Sequence, residues 1–307
     1  RILFSVYWPY IFYEMRNDNF KSYLHLHLIV FIWGFTAVLG KLISLQALDL
    51  VWFRMFFAVL FIITYIIYKK ISLKVPLKAF IGFLVIGIII ATHWYTFYQA
   101  IKVSNISITL ACLSTGAFFA SLLEPILYNR KIIWYEVFFG ILVIIGLAII
   151  FNVESRFKTG ILLALSSAFL SALFSVMNGK YAKEYDSNVI SIYELGGGLF
   201  FLTLYLFLTD KITSEFFSVS SNDLFWLLIL ASVCTAYAFS ASVKVMKFLS
   251  PYTVMLTINL EPIYGIILAV LIFKDSENMN SLFYVGALII LSTVIINGIL
   301  KNKKVNN

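Results

Sequence analysis

The chain has 307 residues, of which 62% are apolar and only 12% charged, against about 25% charged in a typical soluble domain. A soluble protein cannot hide that much apolar surface, so the composition indicates an integral membrane protein. The net charge of +8 does not point to nucleic acid, because the basic residues sit singly or in pairs between apolar runs, as loop charges do.

The first stretch, "RILFSVYWPYIFYE", has no initiator Met and lacks the ordered regions of a signal peptide. Met15, followed by "RNDNFK" and an apolar run, looks like a natural start, so residues 1–14 are expected to be dispensable or not native. Residues 1–21 are therefore read as an N-terminal segment. A membrane-spanning helix needs about 20 mostly apolar residues. Ten segments qualify: 23–43, 48–68, 78–101, 104–128, 132–152, 159–180, 188–209, 223–246, 251–273 and 282–300. The spacing predicts an all-α membrane protein, since a β-barrel would show short alternating strands instead. Its 30 Phe and 18 Tyr suit lipid-facing helices and membrane interfaces. The longest connection, "DKITSEFFSVSSND" around 210–223, is too short for a soluble domain, so any chemistry lies within the helices.

In chain order, the first segment holds Trp33. The second holds Arg54, about 9 Å inside its outer end, where a long side chain can snorkel or face an interior. The third carries His93 and Trp94; His exchanges protons near neutral pH, although a structural hydrogen bond is its commoner role. The fourth has Cys112, Ser114, Thr115 and the pair Glu124-Pro125. Glu124 is roughly 9 Å along the helix from Arg130 and is expected to reach headgroups or pair with Arg130 or Lys131. The seventh carries Glu194 ahead of Gly196-Gly197-Gly198, a place for close helix approach. The eighth holds Cys234, and both cysteines lie in apolar runs, which argues against a structural disulfide. The ninth carries Asn259, Glu261, Pro262 and Tyr264. Glu261 is roughly 15 Å from Pro251 and 20 Å from Lys274 along the helix, hence near mid-membrane. An ionised carboxylate there costs about 2.5–3.5 kcal/mol, so it has to be neutral, paired or facing water. Pro262 deprives the Ile258 carbonyl of its partner and predicts a kink. Glu261, that carbonyl, Asn259 and Tyr264 are expected to line one polar spot beside a cavity.

With the N-terminus inside, 16 of the 23 Lys and Arg residues fall at cytoplasmic helix ends and 6 outside, with Arg54 within a helix. This asymmetry places both termini, including the tail 301–307, in the cytoplasm. The chain also repeats itself. "VLGKL" at 38–42 aligns with "MNGKY" at 177–181, Arg54 falls opposite Glu194, and "AIKVSNISITL" matches "VMKFLSPYTVM". The same alignment sets Gly116, not Glu124, opposite Glu261. Each half has five helices, and five is odd, so the halves cross the membrane in opposite senses as inverted repeats, 22–152 and 159–300.

"FIWGFTAVLGK", Arg54 in the second segment and above all "VKVMKFLSPYTVMLTINLEPIYGIILAVLIFKDSE" resemble the EamA-type transporters of the drug/metabolite transporter superfamily. The resemblance covers residues 22–300. It departs at "FKDSE", where the family commonly ends the ninth helix in Gly-Glu, and at Gly116-Ala117, where the usual proline is missing. It implies a ten-helix inner-membrane carrier, many such carriers being exporters of amino acids, metabolites or drugs.

No phosphate loop, Cys/His metal spacing or Ser-His-Asp arrangement is present in the sequence, so neither a cofactor nor ATP-driven transport by this chain alone is expected. The expected function is secondary transport of a small molecule by alternating access, with Glu261 the main polar group. Asn259, Tyr264, Trp33, Arg54, His93, Trp94, Ser114, Thr115 and Glu194 are the other candidate cavity residues. Proton coupling would run through Glu261 or His93. The lipid bilayer is the surrounding partner, and a homodimer is compatible with this reading. Two rival readings are an intramembrane enzyme acting on lipids or metabolites, and a non-transporting structural membrane protein. The first needs clustered catalytic groups at one interface; the second has no use for an inverted repeat or a mid-membrane Glu-Pro.

Overall fold

The structure, a computed structural model, describes residues 20–129, 131 and 134–305; the segment 1–14 and Arg130 lie outside these. Ten helices form among the described residues. They are α1 Phe20–Leu42, α2 Ala47–Lys69, α3 Leu77–Val103, α4 Ile106–Tyr128, α5 Trp134–Val153, α6 Lys158–Tyr181, α7 Ser187–Leu208, α8 Ser221–Val245, α9 from Pro251 to Phe273 in two pieces, and α10 Ser281–Val305. All but α5 and α10 are long and apolar enough to cross a membrane; those two contribute shorter apolar stretches, Phe138–Val153 and Ser281–Thr293. Each helix falls on a segment expected from the sequence, though α10 runs on into the tail, to Val305.

Local chemistry sets the ends. Asn105, Asp186, Ser220 and Ser250 accept from the backbone N–H of Ile108, Asn188, Asp223 and Thr253, capping α4, α7, α8 and α9. Pro251 takes the first position of α9, where its missing N–H would have had no helical partner anyway. α2 and α4 stop at Lys70 and Asn129, both left-handed with φ 52°.

The helices pack as repeat-mates: α2 on α7, α4 on α9 and α5 on α10, as a two-fold relation between five-helix halves requires. α3 packs against both α6 and α7. Small residues let backbones meet. A Cβ on Gly146 would stand 2.9 Å from the Gly286 carbonyl oxygen, joining α5 to α10. One on Gly87 would stand 2.1 Å from the Glu194 carbonyl oxygen and 2.8 Å from the Gly198 nitrogen, joining α3 to α7. The expected close approach thus involves Gly197 and Gly198, while Gly196 has open space. Large apolar side chains such as Ile67, Phe200, Phe207 and Leu271 remain exposed, as the lipid-facing side of a bundle does.

α1 is interrupted by a one-residue turn at Phe35, and two helices, α9 and α4, are broken at aligned positions. α9 consists of Pro251–Ile258 and Glu261–Phe273, with a turn at Asn259-Leu260. α4 consists of Ile106–Leu113 and Gly116–Tyr128, with a turn at Ser114-Thr115. The repeat alignment pairs 114 with 259. In α9 the interruption follows from Pro262, which cannot donate to the Ile258 carbonyl. In α4, where Ala117 stands in the proline's place, two hydroxyls do the work: Ser114 Oγ donates to the Ala111 carbonyl at 2.6 Å and Thr115 Oγ1 to that of Cys112 at 2.7 Å.

Glu124 is buried, 7% exposed, and engaged within the protein; Arg130, one of the partners expected for it, lies outside the described residues. It stands on the same side of α4 as the buried Ala120 and Ser121, against α6 and α9.

Candidate functional site

An internal cavity lies between the halves, beside both helix breaks. Its first-half wall is Trp33 and Thr36 of α1, Arg54 of α2, His93, Trp94 and Phe97 of α3, and Leu113 at the end of α4's first piece. Its second-half wall is Ser171, Phe174 and Ser175 of α6, Phe239, Ser242 and Met246 at the end of α8, and Val254, Ile258 and Glu261 of α9. The water-accessible volume is about 60 Å³, room for a handful of waters.

Arg54 is the best-held group. It is 3% exposed, so it does not snorkel. Its guanidinium lies 3.8 Å from the Trp94 ring centroid, Nε donates to Thr235 Oγ1 at 2.8 Å, and Nη1 donates to Tyr98 Oη at 2.9 Å. The planar fork and the stacked aromatic face are what arginine offers and lysine does not. Thr235 comes from a π-helical turn, Ser232–Tyr237, inside α8, and its hydroxyl donates back to the Leu230 carbonyl at 2.7 Å. The same wide turn offers the Cys234 carbonyl to Trp33 Nε1 at 3.0 Å. One irregular turn of the second half therefore fixes two cavity residues of the first.

Glu261 opens the second piece of α9, directly after the break, and is 5% exposed. Arg54 is the charge that acts on it, and Thr36 is the hydroxyl beside it. A guanidinium and a carboxyl group thus share one buried space, drawn from opposite halves. His93 is oriented by Ser167 of α6: its Nδ1 lies 2.8 Å from Ser167 Oγ and 2.9 Å from the Ser167 carbonyl oxygen.

Of the residues singled out in the sequence, Glu261, Arg54, His93, Trp33 and Trp94 meet in this cavity. The other five do not line it. Asn259 is buried in the turn itself, with its Nδ2 unpartnered. Tyr264 faces α1, its Cβ close to Gly34 and its ring 5.4 Å from that of Phe31. Ser114 and Thr115 close the break in α4. Glu194 pairs with Asn178 elsewhere in the bundle, at 3.1 Å. The sequence reading missed the hydroxyls. Ser167, Ser171, Ser175 and Asn178 recur every three or four residues and so lie along one face of α6, a period that could have marked them. Thr36 and Ser242 carried no such signal.

Comparison with known proteins agrees with this architecture. The model of the EamA-like transporter family matches residues 20–152 and again 158–299, one match for each half. No curated protein matches the chain. Among solved structures, one titled only as a crystal structure of a protein superposes with a TM-score of 0.67, covering 91% of this chain and 98% of that one at 13% identity, a likeness of fold. With both five-helix halves matched, the chain belongs to the EamA-like transporter family, as a multi-pass membrane transporter built from two EamA domains rather than an enzyme.

Proposed function

We propose that the chain is a secondary transporter of the cell's inner (plasma) membrane that exports a small metabolite, amino acid or drug by alternating access, both termini being cytoplasmic. The observation that carries this reading is a cavity shared by the two halves, with Arg54 from one and Glu261 from the other, at the level of both helix breaks. Broken helices are where many transporters hold their cargo. Within the cavity Arg54 uses Nε and Nη1 for Thr235 and Tyr98, and its remaining N–H groups suit a carboxylate or another acceptor on the substrate. The aromatic walls of Trp33, Trp94, Phe97, Phe174 and Phe239 suit its apolar part.

The cavity extends towards Met246 and Val254, at the facing ends of α8 and α9, which the charge asymmetry makes the cytoplasmic side. At the opposite end Lys41 meets Glu277, and Ser44 meets Asp223. This combination supports an inward-facing state closed on the outside. Coupling to protons would run through Glu261 or His93, which share the space. The cavity is complete within one chain, so a homodimer would leave it intact.

The test is uptake and counterflow of a panel of labelled small organic acids, amino acids and amphipathic drugs in proteoliposomes. Saturable counterflow that is lost in Arg54→Ala supports the reading. Equal flux in liposomes with and without protein, across the panel, would overturn it.

A further inference from the structure

Glu194 is fully buried between α7, α6 and α3, outside the central cavity. Asn178 Nδ2 of α6 donates to its Oε2. Three oxygens around this contact have no partner: Glu194 Oε1, Asn178 Oδ1 and the Ser191 hydroxyl, one turn back on α7. Buried polar atoms are normally satisfied, so three orphans on two facing helix turns call for a missing group. No charged side chain acts on Glu194, and an ionised carboxylate left bare inside a membrane bundle is costly. Tyr181 of α6 is the titratable group facing it. Where α3 and α2 pack on this part of α7 they bring Leu84, Gly87, Ala91 and Met55, none of which titrates.

One proton answers the charge and the pairing of the two side chains. On Oε1 it removes the charge and turns an orphan acceptor into a donor to the Asn178 amide oxygen, whose own Nδ2 already donates to Oε2. A sodium ion would need more oxygens than these turns offer. A path also exists. A second cavity, of about 460 Å³, lies among α1, α2, α7 and α8. Its wall includes Ser187 and Asn188, in the turn of α7 before Ser191, and Ser240, whose buried hydroxyl is likewise unpartnered. On its other side, the Glu194 turn is where α7 touches α3 at Gly87. That contact lies six residues, roughly 9 Å along the helix, from His93 in the central cavity.

We propose that Glu194, with Asn178, is a proton-binding site separate from the Arg54–Glu261 cavity, reached from the second cavity past Ser191 and acting on the α3–α7 contact. Its role as a coupling site rests on the transporter reading; the binding of the proton does not, and is measured without substrate. The experiment is infrared difference spectroscopy of the full chain in lipid over a pH series, in sodium and in choline buffers. The expected result is a protonated-carboxyl C=O band that titrates in wild type and in Glu261→Gln, is absent in Glu194→Gln and is indifferent to sodium. Asn178→Ala keeps the carboxyl and should move that titration by about one pH unit or more, a readout that survives if Glu194→Gln fails to fold. A band that never titrates, that persists in Glu194→Gln, that sodium abolishes or that Asn178→Ala leaves in place would overturn the proposal. A protein that titrates as expected yet transports nothing would sink the transporter reading alone.

Discussion

Lys41 Nζ lies 2.7 Å from Glu277 Oε1, tying the end of α1 to the connection between α9 and α10. Glu277 is fully buried and also accepts from the N–H of Ile106 at 3.2 Å, the N–H of Ser107 at 2.9 Å and the Ser107 hydroxyl at 2.8 Å, at the start of α4. One carboxylate of the second half therefore holds two helices of the first. This is also the stretch "FKDSE" in which the sequence departs from its family's usual Gly-Glu.

Removing that carboxylate strands a partly buried cation and three donors. Breaking a buried pair costs about 3–5 kcal/mol, and Lys41, being partly solvated, places the effect near the lower end. Glu277→Ala should lower thermal stability in detergent clearly, and Lys41→Ala much less, because the α4 contacts survive. If the two variants melt alike, the α4 contacts contribute little and the ion pair alone matters.

The α3–α7 contact makes a sharper steric case. At Gly87 a methyl group would meet the Glu194 carbonyl oxygen at 2.1 Å, a backbone atom that no side-chain rotation can move. Gly87→Ala is expected to destabilise by about 1–3 kcal/mol or more. Gly196 meets nothing within 4 Å, and Gly196→Ala should be neutral or stabilising by up to about 1 kcal/mol. Thermal melts of the two variants side by side check the pair of claims; a Gly196→Ala variant as damaged as Gly87→Ala would mean that the crossing is not as drawn.

Helix number and position were legible because a spanning helix must show its apolar run in the sequence itself. The break in α9 was legible from Pro262. Its counterpart in α4 was not, because Ser114 and Thr115 break a helix only when their hydroxyls turn back to the chain, and the same residues elsewhere simply pack. Charged and aromatic residues at depth, Arg54, Glu261, His93, Trp33 and Trp94, announced the cavity because membranes tolerate such groups only with a reason. Glu194 announced itself in the same way but belongs to another cluster, since depth along a helix says nothing of the face.

Arg54 is held by shape as well as charge, by a stacked indole at 3.8 Å and two directed hydrogen bonds. Arg54→Lys keeps the charge and loses the fork and the stacking. Transport in proteoliposomes should fall at least about tenfold in Arg54→Lys, since the one charge-assisted bond it would lose at minimum is worth about 1.5–3 kcal/mol. Wild-type rates in that variant would show that a positive charge at this depth is sufficient.

Glu261 tests whether it and Arg54 act together. Glu261→Gln keeps the shape, and its amide can still stand beside Thr36. It removes the ionisable carboxyl that shares the cavity with Arg54. The protein should fold, because Arg54 keeps Tyr98, Thr235 and Trp94, but substrate counterflow should fall strongly. Arg54→Gln should fall too, for the converse reason. If the pair is the functional unit, the double variant Arg54→Gln/Glu261→Gln will be no worse than either single one, because residues acting on one another are non-additive. The measurement is a double-mutant cycle on initial counterflow rate, with binding of the same labelled compound followed in parallel. Strictly additive losses would mean that Arg54 and Glu261 contact the substrate independently and do not act on one another.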